Sequence, residues 1–297
     1  MSEGITHSAI VDDCARLARS ESGICPAFRT VLGEHLEIAR LGGVTRHGDR
    51  HNPDLLERYR EQWPLPDRPA AVPMKLAFVL GWLSHRAADR QMKRIFRTLD
   101  PDCPRRPPTD CSIYHDVEVL RHVYWAEDSD LWGMQSFAAN GRDRQEARLR
   151  AEALLASVWQ RTLLRMHTFI PDDSEPDAWL DQVVEQHQRL YVDLRRYAAI
   201  LTDPDPELVR RFLVEPNFYD PADPIIALAR SLQTGTPPPA VSLAVALEQA
   251  RNQSLYARML RRAYLYTQAA SEFFERRIDR DELARRLHIG LPELAEV

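Results

Sequence analysis

His85 and Asp89 stand four residues apart in the run Phe78-Val-Leu-Gly-Trp-Leu-Ser-His-Arg-Ala-Ala-Asp89, an imidazole and a carboxylate in a segment that otherwise reads as buried helix. Four residues are slightly more than one helical turn, so both side chains leave the same face and can grip one cation together. Phe78, Trp82, Met92 and Phe96 lie on or beside that stripe. A carboxylate facing so apolar a surface is costly unless a metal or a cationic partner compensates its charge. The same spacing also serves a local hydrogen bond, so the pair by itself leaves metal ligation and simple helix-face pairing both open.

Further groups of the same types lie in the first 122 residues. His7 follows Ile5-Thr6 at the start of an expected helix, His47, Asp49 and His51 crowd the polar stretch 45–52, and His115, Asp116, Glu118 and His122 share one later segment. His115 and Glu118 are three apart and Glu118 and His122 four apart, spacings that share a helix face, whereas Asp116 points elsewhere. Imidazole nitrogen with carboxylate oxygen is a donor set for zinc, iron or manganese, and a multi-ion site needs short ligand pairs plus single ligands from other elements.

The order Thr6-His7, then Leu41-Gly42-Gly43 with Asp49 and His51, then Gly81-Trp-Leu-Ser-His-x-x-x-Asp89, then a helix with His115 and Glu118, resembles the zinc-dependent phospholipase C family, related to the single-strand-specific zinc nucleases. The resemblance covers about the first 125 residues and is sharpest over Gly81 to Asp89. It implies an all-α, multi-helix array with a helical C-terminal extension and one to three zinc ions. It also implies metal ligands at His7, Asp49, His51, His85, Asp89, His115 and Glu118, with Asp89 bridging and Asp49 and Asp89 acting in catalysis. The chain departs from the family in having no Trp before Trp63, no His shortly after Asp89, and a three-residue His115 to Glu118 spacing. It therefore reads as a divergent member, with His122 or His47 as substitute ligands or with fewer ions.

The chemistry of such a site follows from charge. Zinc brings the pKa of a bound water near neutrality, and paired ions about 3.5 to 4 Å apart stabilise both the attacking and the leaving oxygen of a phosphoryl displacement. Arg50, Arg86 and Arg90 flank the expected ligands, and guanidinium groups there match the non-bridging oxygens of a phosphate.

Helices must position these groups, because apolar residues recur at three and four along the whole chain and strand signals are nearly absent. The pattern predicts helices over 6–19, over 26–41 ended by Gly42-Gly43, over 53–62, over 74–97 and over 112–127, with loops at 45–52 and 101–108 delivering ligands to the central helix. Beyond Asp128 further amphipathic helices are predicted over 142–167, 177–201, 206–213, 224–232 and 240–275, with a short terminal helix over 279–287. The expected organisation is a ligand-bearing core over 1–127 and a helical C-terminal part over 128–297 packed on it as one domain.

A 44% hydrophobic content supports a sizeable core, and a net charge of -5 argues against a stable nucleic-acid surface. No run of about twenty apolar residues and no signal-peptide order is present, so a cytoplasmic protein without a transmembrane segment is expected. The four cysteines lack CxxC spacing and read as free, buried thiols.

Three functions fit these residues. The leading one is a metal-dependent hydrolase of small or lipid-derived phosphate esters. The second is a non-catalytic helical scaffold with a degenerate site, whose C-terminal helices offer surfaces for a homo-oligomer. The third is an HD-type phosphohydrolase, in which His85 precedes His115-Asp116 by thirty residues and Asp116 is indispensable.

Overall fold

The computed structural model describes residues 4–44, 52–99, 109–124 and 196–290, and among these the chain is all-helical with no strand. Asp49, Arg50 and His51 lie outside the described residues, as does the expected boundary after residue 127. The chain divides into two compact units, Gly4–Pro101 with Glu215–Val297, and Met1–Glu3 with Asp102–Val214.

In the larger unit the order is α1 (Gly4–Ser20), α2 (Pro26–Glu34), α3 (Leu36–Val44), α4 (Asn52–Gln62) and α5 (Val72–Leu99). The smaller unit supplies α6 (Asp110–Val119), a π turn at Leu120–Tyr124, a helical stretch at 196–202, and α7 (Pro206–Val209) with a π turn at Arg210–Val214. The larger unit resumes with α8 (Pro224–Thr234), α9 (Leu243–Gln249), α10 (Leu255–Phe274) and α11 (Arg280–Arg286).

The rod of the larger unit is α5, against which α3 and α10 pack most extensively, with α1, α2 and α4 around them. The crossing of α3 and α5 is close because two glycines meet there. A Cβ on Gly81 would lie 1.8 Å from the Ala39 carbonyl oxygen, and one on Gly42 would lie 2.1 Å from that of Phe78. Gly42 and Gly43 fall in the last turn of α3, which runs to Val44, and Gly42 is there because only a missing side chain lets the two backbones approach so far. The helix expected over 26–41 is two helices, broken at His35, whose backbone leaves the helical region at φ −128° and ψ 34°.

The helix expected over 240–275 is also divided. After α9 and a 3₁₀ turn at Ala250–Asn252, the Ser254 side chain accepts from the Ala257 N–H and starts α10 anew. From α10, Tyr256, Met259, Leu260, Tyr266 and Phe273 are buried, each side chain stabilising the unit by roughly 1.5–3 kcal/mol. Polar contacts tie α10 to the N-terminal helices: Ser271 Oγ accepts from the Cys25 N–H at 2.8 Å, and Cys14 Sγ meets Thr267 Oγ1 at 3.4 Å. Cys14, Cys25 and Cys111 are buried free thiols.

In the smaller unit, Thr109 and Ser112 form a reciprocal cap that starts α6. Tyr197 donates to Asp116 at 2.7 Å, and Arg121 donates to the Leu201 carbonyl at 2.9 Å. No described helix is long and apolar enough to cross a membrane.

Candidate metal centre

Three helices of the larger unit build one cluster. From α5 come His85 and Asp89, from the first turn of α1 comes His7, and from the last turn of α3 comes the Gly43 carbonyl. That carbonyl lies 2.9 Å from His85 Nδ1. A carbonyl only accepts, so His85 Nδ1 carries a proton, and Nε2 faces Asp89 Oδ2, 3.5 Å away.

His7 Nε2 lies 3.3 Å from the other oxygen, Asp89 Oδ1, and the two imidazole rings lie 4.5 Å apart at 34°. His7 is buried, and its Nδ1 has no hydrogen-bond partner. One donor atom each from His7, His85 and Asp89 falls within 4.8 Å of the others, the one such grouping of three or more His, Cys, Asp or Glu among the described residues.

Those separations have a chemical meaning. A charge-assisted N–H···O bond runs at about 2.7–2.9 Å, shorter than either imidazole contact. Ligands held about 2.0–2.1 Å from a tetrahedral ion are about 3.4 Å from one another, which is the spacing of His7 and His85 to the two Asp89 oxygens. The donor set therefore fits a divalent ion, and the Gly43 carbonyl would fix the His85 tautomer as a backbone carbonyl commonly does for a metal-ligating imidazole. Lys93, one turn beyond Asp89, brings its Nζ within 3.2 Å of Oδ2. Burial alone would raise the Asp89 carboxyl pKa, but the His7 hydrogen bond and the positive charges of His85, His7 and Lys93 outweigh it. They hold the group well below the ordinary carboxylate range.

The other expected ligands are engaged differently. In the smaller unit His115 is fully buried and its Nε2 donates to the Phe212 carbonyl at 2.9 Å, while burial lowers its pKa to about 4. Glu118 pairs with His122 at 3.1 Å, the i,i+4 contact their spacing allows. Asp116 accepts from Tyr197, so the His115-Asp116 pair has partners of its own.

Arg86 and Arg90 leave α5 beside the cluster residues but run to the end of α11. Arg86 donates from Nε to the Leu287 carbonyl at 3.0 Å and from Nη2 to the His288 carbonyl at 2.7 Å, and Arg90 donates to the same His288 oxygen at 2.8 Å.

Sequence reasoning passed over Lys93 and Gly43. The lysine had a signal in its i+4 spacing from Asp89, whereas a backbone carbonyl has none. It also passed over the buried carboxylates Asp12 and Asp13 of α1. Asp12 takes a two-pronged bond from Arg40 at 2.7 and 2.9 Å. Asp13 accepts from Arg16 at 2.7 Å, from Tyr256 at 2.8 Å and from Arg230. The chain matches no family model, no curated protein and no solved structure.

Proposed function

We propose that His7, His85 and Asp89 hold a divalent transition-metal ion and that the protein is a metal-dependent hydrolase of phosphate esters, small or lipid-derived. The observation that carries this reading is the convergence of one donor atom each from His7, His85 and Asp89 within 4.8 Å, two imidazoles and a carboxylate from two helices. Three protein ligands leave a fourth position open, the pattern of catalytic rather than structural zinc. When bound, the ion would supply a Lewis acid for a phosphoryl oxygen and a water activated near neutral pH. Nitrogen and oxygen donors also accept iron and manganese. The phosphate-ester substrate class comes from the family resemblance of the Gly81 to Asp89 motif.

Lys93 favours a second reading, a helical scaffold in which the ammonium supplies the counter-charge that Asp89 needs. Elemental analysis of the purified protein separates the two. The hydrolase reading expects tightly held zinc, iron or manganese that is lost in His85→Ala and restored to chelated wild type by added metal, followed by turnover in a phosphomonoester and phosphodiester panel. Protein that takes up no transition metal under those conditions is a scaffold.

A further inference from the structure

Asp89 presents one carboxylate oxygen to each imidazole, yet the two rings are held differently. His85 Nδ1 lies 2.9 Å from the Gly43 carbonyl, whereas His7 Nδ1 is buried with no hydrogen-bond partner among the described residues. We propose that the metal site is divided: His85 and Asp89 are its anchored ligands, and His7 is its exchangeable ligand, the one that leaves the ion when an anionic oxygen donor such as phosphate enters. The inference rests on the metal-site reading above and adds an order of ligand strength and a place of entry.

The backbone sets the first half of that division. His85 and Asp89 leave α5 one turn apart, so a single helix fixes their relative position. His7 is the fourth residue of α1 and meets them from a separate element. Its ring is tilted against that of His85 with 4.5 Å between centroids, and one turn further along α1 a Cβ on Gly43 would come within 2.5 Å of Val11 Cγ2. The place of His7 is thus set by the packing of α1 on α3 and α5, whereas the His85 ring is set by a hydrogen bond.

Hydrogen bonding sets the second half. An imidazole that coordinates through one nitrogen carries its proton on the other. Where an acceptor meets that N–H, the ring is oriented and its coordinating nitrogen becomes a stronger donor. His85 has the Gly43 carbonyl in this role. His7, coordinating through the Nε2 that faces Asp89, would carry an N–H at Nδ1 where no described acceptor meets it. An unmet buried donor weakens the bond to the ion, so His7 is the first of the two imidazoles to yield.

The test measures zinc affinity by competition with a chelating indicator in wild type, His7→Ala, His7→Gln, His85→Ala and His85→Gln. NMR of the histidine ring nitrogens then follows zinc-loaded wild type as inorganic phosphate is added, with the two variant series assigning the signals. The His7 variants should keep zinc with about tenfold weaker affinity, and the His85 variants should lose at least about a hundredfold. Phosphate should return the His7 nitrogens toward their metal-free shifts and leave those of His85 at their zinc-bound values. His7 variants that match wild type, or that lose zinc as fully as the His85 variants, overturn the proposal, and so does phosphate that leaves His7 at its zinc-bound shifts. A wild type that binds no zinc, iron or manganese instead defeats the metal-site reading itself. Both histidines are buried, so the glutamine variants and matching circular dichroism verify the fold.

Discussion

Two sets of carboxylates in the larger unit are treated in opposite ways. Asp12 and Asp13, fully buried on α1, meet guanidinium and phenol donors at 2.7 to 2.9 Å, with Arg40 gripping Asp12 by two prongs. Asp89, whose side chain is 26% exposed on α5, meets two imidazoles and one ammonium at 3.2 to 3.5 Å. The first arrangement is what burial of a permanent anion requires: complementary donors at hydrogen-bond length, with no capacity left over. The second brings two imidazoles and an ammonium to one part-exposed carboxylate at longer range. On the metal-site proposal, an acid that stabilises the fold and an acid that takes a ligand differ in the distance and identity of their partners.

Substitution of each acid breaks or sharpens that contrast. Asp13→Ala removes the buried carboxylate shared by Arg16, Arg230 and Tyr256 and is expected to cost about 3–5 kcal/mol in denaturant unfolding; a cost under about 1 kcal/mol would erase the distinction.

Next in size is Gly81→Ala. Its new Cβ would collide with the Ala39 carbonyl, forcing apart the two helices that present His85 and the Gly43 carbonyl. About 1–3 kcal/mol of stability should be lost together with most metal affinity, read by thermal melts and chelator competition.

His115 extends the comparison to the smaller unit through pH. Its folded pKa of about 4 lies below the ordinary 6.5, so the unfolded chain takes up the proton first. The stability contributed by neutral His115 is complete above about pH 6.5 and falls steadily toward pH 4. His115→Gln should flatten that acid limb by roughly 2–3 kcal/mol across the window, measured by urea unfolding at stepped pH.

Asp89 closes the comparison. Asp89→Asn in chelator should cost less stability than Asp13→Ala, since its carboxylate is part-exposed, while abolishing tight metal uptake. A metal-free loss as large as that of Asp13→Ala would place Asp89 with Asp12 and Asp13 instead.

Legibility in the sequence followed the range of the interaction. The all-helical class came from short-range periodicity, and His85 with Asp89 from spacing within one helix. Glu118 and His122 share a face for the same reason. The partners of Asp12 and Asp13 were beyond reach, because Arg40 is 28 residues from the first and Arg230 is 217 from the second. The second role of Gly42, close approach to α5, was hidden because a glycine that permits close approach looks the same as a terminator until the opposing backbone is known. The break before α10 was hidden because Ser254 caps a new helix within one continuous amphipathic pattern. Arg86 and Arg90 could not reveal that their partners are carbonyls some 200 positions downstream.

That last feature bears on how the chain can be cut. His288 adopts a left-handed backbone at φ 55°, and its oxygen is the meeting point of the Arg86 and Arg90 guanidinium groups. A truncation after Arg286 removes the buried Leu287 and strips these acceptors from two buried arginines on the same helix that carries His85 and Asp89. The turn at Leu287 and His288 is therefore a keystone for α5, and removing it would loosen the helix from its far side.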